Sequence, residues 1–533
     1  MDFWQEADDD TVVSAILDAM SNEEMAGQLF MISYPGAELD ETAMEWIDER
    51  CLGGLKIFGK NVGSLPKLAA NVGIMQTMAL QTKYRIPLLT ATDQEGGWVR
   101  HIKFETSETA GNMSLGASGI KSDALMTSLY INQQLKVLGI NMNFAPTVDL
   151  YFNPDNYVIG PRAFSSDPAL TAELAKAWFE GAQEAGIIAT AKHFPGHGRT
   201  NKDSHGSLPV IKVTLQEIEE SDLVPYKTLI EAGIPAIMAG HLAYPKITGS
   251  NRPATISQVL LKTVLRDRLG FKGMIITDDM IMGGASKYTQ NTASACFEAI
   301  KSGVDMVLVS KDAETFDQAH RMIVQEMEAN PQFRQQVRES AERILRVKLK
   351  YIKPEGEKNI IPDVDYVRRF FPDRQAQSFF YRQACRSVSF IRNADEDYIN
   401  LEDKKVLFVG PHYFLKEAIH HYPKAGTYQI VPYFYDTDGW KPGDLGHLIY
   451  KYDKVVFCVA SPAHAQMLSR LSIFKENIIV FSLLSPAFLD DVPWAKGIAV
   501  YGRDKSSIAA GLSALAGEFV PTAKVPIPLK EAE

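Results

Sequence analysis

Between Lys192 and Pro209 the chain reads KHFPGHGRTNKDSHGSLP, and this stretch carries its richest chemical signal. Two imidazoles, His193 and His197, stand four residues apart, the spacing of a metal pair on one helix face. Pro195 and Gly196 between them forbid that helix, because proline removes an amide and clashes with the preceding turn; no metal is expected. Glycines 196, 198 and 206 make the stretch a mobile loop. Asp203 and His205 lie two apart, so on an extended segment their side chains point to the same side. A carboxylate beside an imidazole holds its tautomer and stabilises the imidazolium, the arrangement of a tuned general acid/base. The same three residues, Asp203-Ser204-His205, would equally make a polar turn.

Other polar groups collect where apolar runs end. Asp93-Gln94-Glu95-Gly96-Gly97 follows IPLLTATD, Lys192-His193 ends IIATAKHFPG, His241 lies in PAIMAGHLAY, and Asp278-Asp279 ends GMIITDD. A core strand has no structural need for such endings. Any one of them could cap a helix, Asp278 or Asp279 especially, but four on one face indicate an active site.

Eight apolar runs supply that face: residues 27–33, 53–59, 86–93, 140–149, 187–196, 235–244, 273–279 and 305–310. Amphipathic segments such as SDALMTSLYINQQLKVLG and ELAKAWFEGAQEAG separate them. Strand alternating with helix implies parallel strands with right-handed crossovers, and eight units in some 300 residues predict a TIM-like (β/α)8 barrel. The competing open, doubly wound sheet would carry a Gly-rich phosphate turn after its first strand, and none is present. Residues 1–352 are therefore assigned to a catalytic barrel. Residues 353–385, beginning KPEGEKNIIPDVDYVRR, read as a linker and connecting helix. Residues 386–533 hold a second alternation, with apolar runs at 404–410, 428–434, 454–460, 477–483 and 497–502, and predict a smaller α/β sandwich domain.

Composition narrows the function classes. The chain has 533 residues, 46% hydrophobic and 23% charged, the balance of a globular protein of two or three domains. Its formal net charge of −10 argues against nucleic acid or an anionic membrane as partner, so the substrate is recognised by a pocket. No apolar stretch is long enough to span a bilayer. The start, MDFWQEADDD, is acidic where an export signal needs a basic end and then an apolar stretch, so a cytoplasmic location is expected. Cys51, Cys296, Cys385 and Cys458 are far apart and unpatterned, which fits reduced thiols and neither a zinc site nor a disulfide framework. No cofactor is expected. The oligomeric state stays open.

KHFPGHGxTxxDSHxxLP, from Lys192 to Pro209, resembles the signature of bacterial β-N-acetylglucosaminidases of glycoside hydrolase family 3. Further patterns of that family follow in order: Asp93 to Arg100 (DQEGGWVR), Asn143 to Pro146 (NFAP), Gly160 to Ser165 (GPRAFS), Pro253 to Ser257 (PATIS) and Ile276 to Met280 (ITDDM). The likeness continues into the second domain through Ser485-Pro486, Tyr501-Gly502 and Ala523 to Pro526. It implies a retaining, exo-acting hydrolase that removes terminal N-acetylglucosamine, with Asp278 as nucleophile and Asp203 and His205 as the acid/base dyad. It further implies that Asp93, Arg100, Arg162, Lys192 and His193 contact the terminal sugar; Asp279 is expected, on chemical grounds, to be structural and to bind backbone amides at the start of the following helix. In this family and compartment the expected partner is a GlcNAc-containing saccharide, most readily a muropeptide fragment of the cell wall. The loop Thr109 to Met113 departs from the pattern in lacking a Pro before its Met, as does Pro161 in preceding Arg162. Both bear on substrate range.

The chemistry agrees with this resemblance. Retention needs a carboxylate to form a glycosyl–enzyme intermediate and an acid that later serves as base. An imidazole, with an unperturbed pKa of about 6.5, suits both proton transfers near neutral pH. Two other readings use the same residues: a phosphorylase, in which phosphate attacks the intermediate, and a non-catalytic sugar sensor, which would have no need to keep Asp278, Asp203 and His205.

Overall fold

The computed structural model describes residues 2–200, 206–286, 288–431 and 442–530. Eight parallel strands make one sheet: β1 (Phe30–Ile32), β2 (Gly54–Lys56), β3 (Leu89–Thr92), β4 (Met142–Asn143), β5 (Ile188–Phe194), β6 (Ala236–Ala239), β7 (Met274–Thr277) and β8 (Val307–Val309). Each falls within one of the eight predicted runs. Their order is β8-β1-β2-β3-β4-β5-β6-β7, and a bridge between Ile276 and Met306 joins β7 to β8. The result is the expected TIM-like barrel. At the closing seam the Met306 amide donates to the Ile275 carbonyl at 3.1 Å and the Met280 amide to the Leu308 carbonyl at 2.9 Å. Thr277 N donates to the Met306 carbonyl at 3.1 Å, but the Leu308 amide donates to the Thr277 hydroxyl at 3.0 Å.

The strands carry few polar residues because both faces are covered, one by the barrel interior and the other by helices. Every residue of β1, β2, β3 and β5 is buried. The crossover helices start where the sequence caps them. Asp167 accepts amides from Ala169 and Leu170 ahead of helix Pro168–Glu184. Asn330 does the same for Pro331–Tyr351, and each helix opens on a proline whose missing amide is not needed there. Trp46 and Trp178 are among the largest fully buried side chains of the shell.

Residues 353–385 contain two short 3-10 turns and helix Val364–Phe370, followed by the start of helix Arg374–Ser387. Ile360 and Val367 of this stretch pack into the barrel's core. The second sheet has six strands: β9 (Ser389–Ile391), β10 (Val406–Gly410), β11 (Gly426–Gln429), β12 (Lys454–Val459), β13 (Ile478–Ser482) and β14 (Gly497–Ala499). Their order is β9-β14-β13-β12-β10-β11, parallel except that β9 runs antiparallel to β14. β10 to β14 answer the five predicted runs, and β9 is additional. Among the described residues no helix is long and apolar enough to cross a membrane.

Candidate active site

A cavity of about 530 Å3 opens at the C-terminal ends of the barrel strands, lined by Lys56, Asp93, His101, Arg162, Lys192, His193, His197, Asp278 and Asp279 among others. Strand ends gather there because parallel strands in a closed barrel all point their C-termini to one rim.

One side of the cavity is an ion-pair network. Asp93, just after β3, meets the buried Lys56 of β2, Lys192 of β5 at 2.5 Å and His101 at 3.3 Å. Lys192 also reaches Glu95 at 2.6 Å. Arg162 then grips Glu95 with both arms, Nε to Oε2 at 2.9 Å and Nη2 to Oε1 at 2.8 Å. His193 Nδ1 lies 2.7 Å from Asp149, and the His197 amide donates to the same carboxylate at 2.6 Å. Burial pushes these carboxyls up, but the adjoining cations outweigh it. Lys192 and Lys56 hold Asp93 well below its ordinary value, and Arg162 and Lys192 bring Glu95 down to about 2. Burial pulls Lys192 down, yet Asp93 and Glu95 raise it above its usual value.

Asp278 directly follows β7, four places from β3 around an eight-strand ring, and so faces Asp93 across the barrel. Its amide donates to the Ala239 carbonyl at 3.0 Å, and its Oδ1 accepts from the Asp279 amide at 2.8 Å. Burial raises the Asp278 carboxyl, but the imidazoles of His193 and His241, the Asp279 amide and Lys192 hold it below its ordinary value. It is therefore ionised at neutral pH. Asp279 differs: it binds the Ser310 hydroxyl and accepts from the amides of Ile281 and Ser310. Its carboxyl is raised by burial. His241 is wedged between the Thr255 hydroxyl and the Asp279 carbonyl, both at 3.0 Å.

The structure thus brings Asp93, Arg162, Lys192, His193 and Asp278 around one cavity. It does not bring Arg100 there. Successive side chains of an extended strand point to opposite faces, so Val99 and His101 line the cavity while Arg100 turns away to the Thr106 carbonyl and Glu108. Asp203 and His205 lie outside the described residues. The stretch before them is closely packed where glycine content suggests mobility. A Cβ on Gly198 would sit 1.6 Å from the Leu150 carbonyl oxygen, and Gly196, at φ +143, lies against Asp222. Arg199 clamps to Asp222 at 2.8 Å and Ser221 at 2.7 Å, with its guanidinium 4.3 Å over the Phe152 ring. After the loop, Ile211 N donates to the Ala243 carbonyl at 2.8 Å.

Lys56, His101 and His197 also line the cavity, and Glu95 and Asp149 brace its lining through Arg162, Lys192 and His193, although the family resemblance does not select them. Lys56 had a signal, a lone lysine inside the apolar run GGLKIFG. Burial lowers the His197 imidazole to about 4, so it is neutral at physiological pH.

Residues 21–347 match the model of the glycosyl hydrolase family 3 N terminal domain. The chain belongs to glycosyl hydrolase family 3. It is 35% identical over 327 residues to Beta-hexosaminidase A of Pseudoalteromonas piscicida, a match covering 57% of this chain and 54% of that one. The chain thus spans about half the length of that relative. The family 3 β-N-acetylglucosaminidase structure from Paenibacillus sp. superposes with a TM-score of 0.85 at 27% identity, covering 97% of this chain and 100% of that one. The β-N-acetylhexosaminidase of Beutenbergia cavernae superposes with a TM-score of 0.56 at 28% identity, covering 62% of this chain and 98% of its own.

Proposed function

We propose that this family 3 member is a retaining, exo-acting β-N-acetylglucosaminidase with Asp278 as its nucleophile. The observation that carries the reading is the opposition of Asp278 to the Asp93–Lys192–Glu95–Arg162 network across one cavity. A pyranose spanning it would present C1 to Asp278 and its ring hydroxyls to the network. A site closed in that way accepts a terminal residue. The names of the Pseudoalteromonas and Paenibacillus proteins support N-acetylhexosamine as that residue.

In the first step the Asp278 carboxylate attacks C1 and the C1–O bond to the leaving group breaks. A proton passes from the acid/base group to the departing oxygen. In the second step water attacks C1, loses a proton to the same group and releases Asp278. The described carboxylates around the cavity are committed elsewhere: Asp93 and Glu95 to cations, Asp149 to His193, and Asp279 to Ser310 and backbone amides. That leaves the proton transfers to an imidazole, and the family motif offers His205, oriented by Asp203. His197 serves poorly as acid at neutral pH, being held neutral by burial. The physiological substrate we propose is a GlcNAc-terminated muropeptide fragment met in the cytoplasm.

The test is release of nitrophenol from its β-N-acetylglucosaminide with and without phosphate, joined to trapping with a 2-fluoro sugar and peptide mapping. The reading expects phosphate-independent release and a label on Asp278. A label elsewhere sinks the nucleophile assignment, and dependence on phosphate makes the protein a phosphorylase.

A further inference from the structure

The segment that carries Arg162 has one side in the sugar cavity and the other in the second domain. Tyr151, Ile159 and Ala163 are buried in the apolar core of the second domain, not in that of the barrel. The Tyr151 hydroxyl lies 3.2 Å from the Ser485 hydroxyl, and the rings of Tyr157 and Phe488 meet with centroids 5.9 Å apart. Ser165 donates to the Pro526 carbonyl at 2.7 Å. On the opposite side, Val158 and Arg162 line the cavity. There Asn156 donates to the His197 carbonyl at 2.7 Å, and Arg162 Nη1 donates to the Val158 carbonyl at 3.0 Å.

Apart from the 3-10 turn Gly160–Arg162, this segment has no regular element of its own between Asn143 and Pro168. Gly160 sits at φ +44 beneath Trp98. A loop without a hydrogen-bond ladder takes its rigidity from the surfaces it packs on, and a binding side chain is only as well placed as its supports. We infer that the second domain is a positioning element of the sugar site. Its turn at Ser485–Leu489 and the strap at Pro526 fix residues 151–165 and thereby aim Arg162, with Phe488 and Tyr157 as positioning residues. The inference rests on the proposed role of Arg162 as a sugar contact. The Beutenbergia cavernae protein, aligning 98% of its own length with 62% of this chain, has no counterpart for the rest. The coupling is a feature of this chain's own contacts.

The experiment measures N-acetylglucosamine binding by calorimetry to the full-length protein and to Phe488→Ala, Phe488→Leu, Tyr157→Ala, Arg162→Ala and the Phe488→Ala/Arg162→Ala double variant. Phe488→Ala is expected to raise Kd about tenfold, less than the ~100-fold that a misplacement of about 1 Å can produce. Phe488→Leu should recover most of that loss, and the effect should vanish in the Arg162→Ala background. Should Phe488→Ala fail to fold, Tyr157→Ala, at a half-buried position, gives the same comparison and is expected to move Kd the same way. An unchanged Kd in both, or the same factor with and without Arg162, overturns the inference. If Arg162→Ala alone leaves Kd unchanged, what fails is the reading of Arg162 as a sugar contact.

Discussion

The two sides of the cavity treat their carboxylates in opposite ways. Around Asp93 and Glu95, Lys56, Lys192 and Arg162 hold the negative charge in fixed geometry, with Lys192 at 2.5 Å from Asp93 and 2.6 Å from Glu95. At Asp278 the hydrogen bond described to the carboxylate is a single amide, from Asp279. Donors stabilise an oxyanion and blunt it as a nucleophile, so a saturated carboxylate is a fixture and a sparsely bonded one keeps its reactivity. In the mechanism we propose, the saturated side orders the sugar and the sparse side reacts with it.

The contrast breaks most visibly at Asp278. Asp278→Ala should lower kcat by several orders of magnitude while leaving thermal stability unchanged or slightly higher, since a half-buried anion is removed. Steady-state kinetics and calorimetric unfolding check both halves. A large loss of stability would mean that Asp278 is another fixture.

His205→Ala comes next, because its effect depends on the leaving group. With a sugar alcohol leaving, activity should nearly vanish. With nitrophenolate leaving, the defect should move to the second step, giving a burst, a lowered KM and rescue by azide, an anionic nucleophile that needs no general base. Asp203→Asn should show a weaker version. Equal losses on both substrates without burst or rescue would remove His205 from the mechanism.

On the saturated side the effects are on binding and folding. Glu95→Gln leaves Arg162 and Lys192 buried with less negative charge, and breaking such a pair costs about 3–5 kcal/mol. KM should rise if these groups contact the sugar as proposed. The pH dependence follows in sign. Glu95 falls from 4.5 when unfolded to about 2 when folded, so its contribution is complete above pH 4.5 and is lost as pH drops towards about 2. The variant should lack that part of the acid-unfolding slope, measured as Tm against pH. An identical slope in wild type and variant would show that the network does not hold Glu95 charged.

The barrel was legible because strands buried on both faces must be short apolar runs, and all eight fall where such runs occur. Asp93, Lys192, His193 and Asp278 were legible as polar endings on those runs. Lys56 was harder to see: inside GGLKIFG it passes for part of a strand, and its partner Asp93 is 37 residues away in sequence. Choosing between Arg100 and His101 by charge favours the arginine, while the alternation of a strand favours His101, which lies beside Val99 on the cavity face. β9 is three residues long, directly after a helix, and pairs antiparallel with β14, a long-range contact with no local signal. The glycines near His197 read as flexibility because a missing side chain looks the same whether it frees the backbone or lets another chain segment approach, as Leu150 approaches Gly198.

The ladder between β7 and β8 gives a mechanical role to Thr277, the residue preceding Asp278. Where a backbone carbonyl would normally stand, the Thr277 hydroxyl receives the Leu308 amide, so a side chain serves as one rung of the barrel's closing seam. Replacing it with the near-isosteric valine removes that rung and little volume. Amide exchange at Leu308 should quicken first, loosening the seam beside Asp278 while the Asp93 wall stays shut.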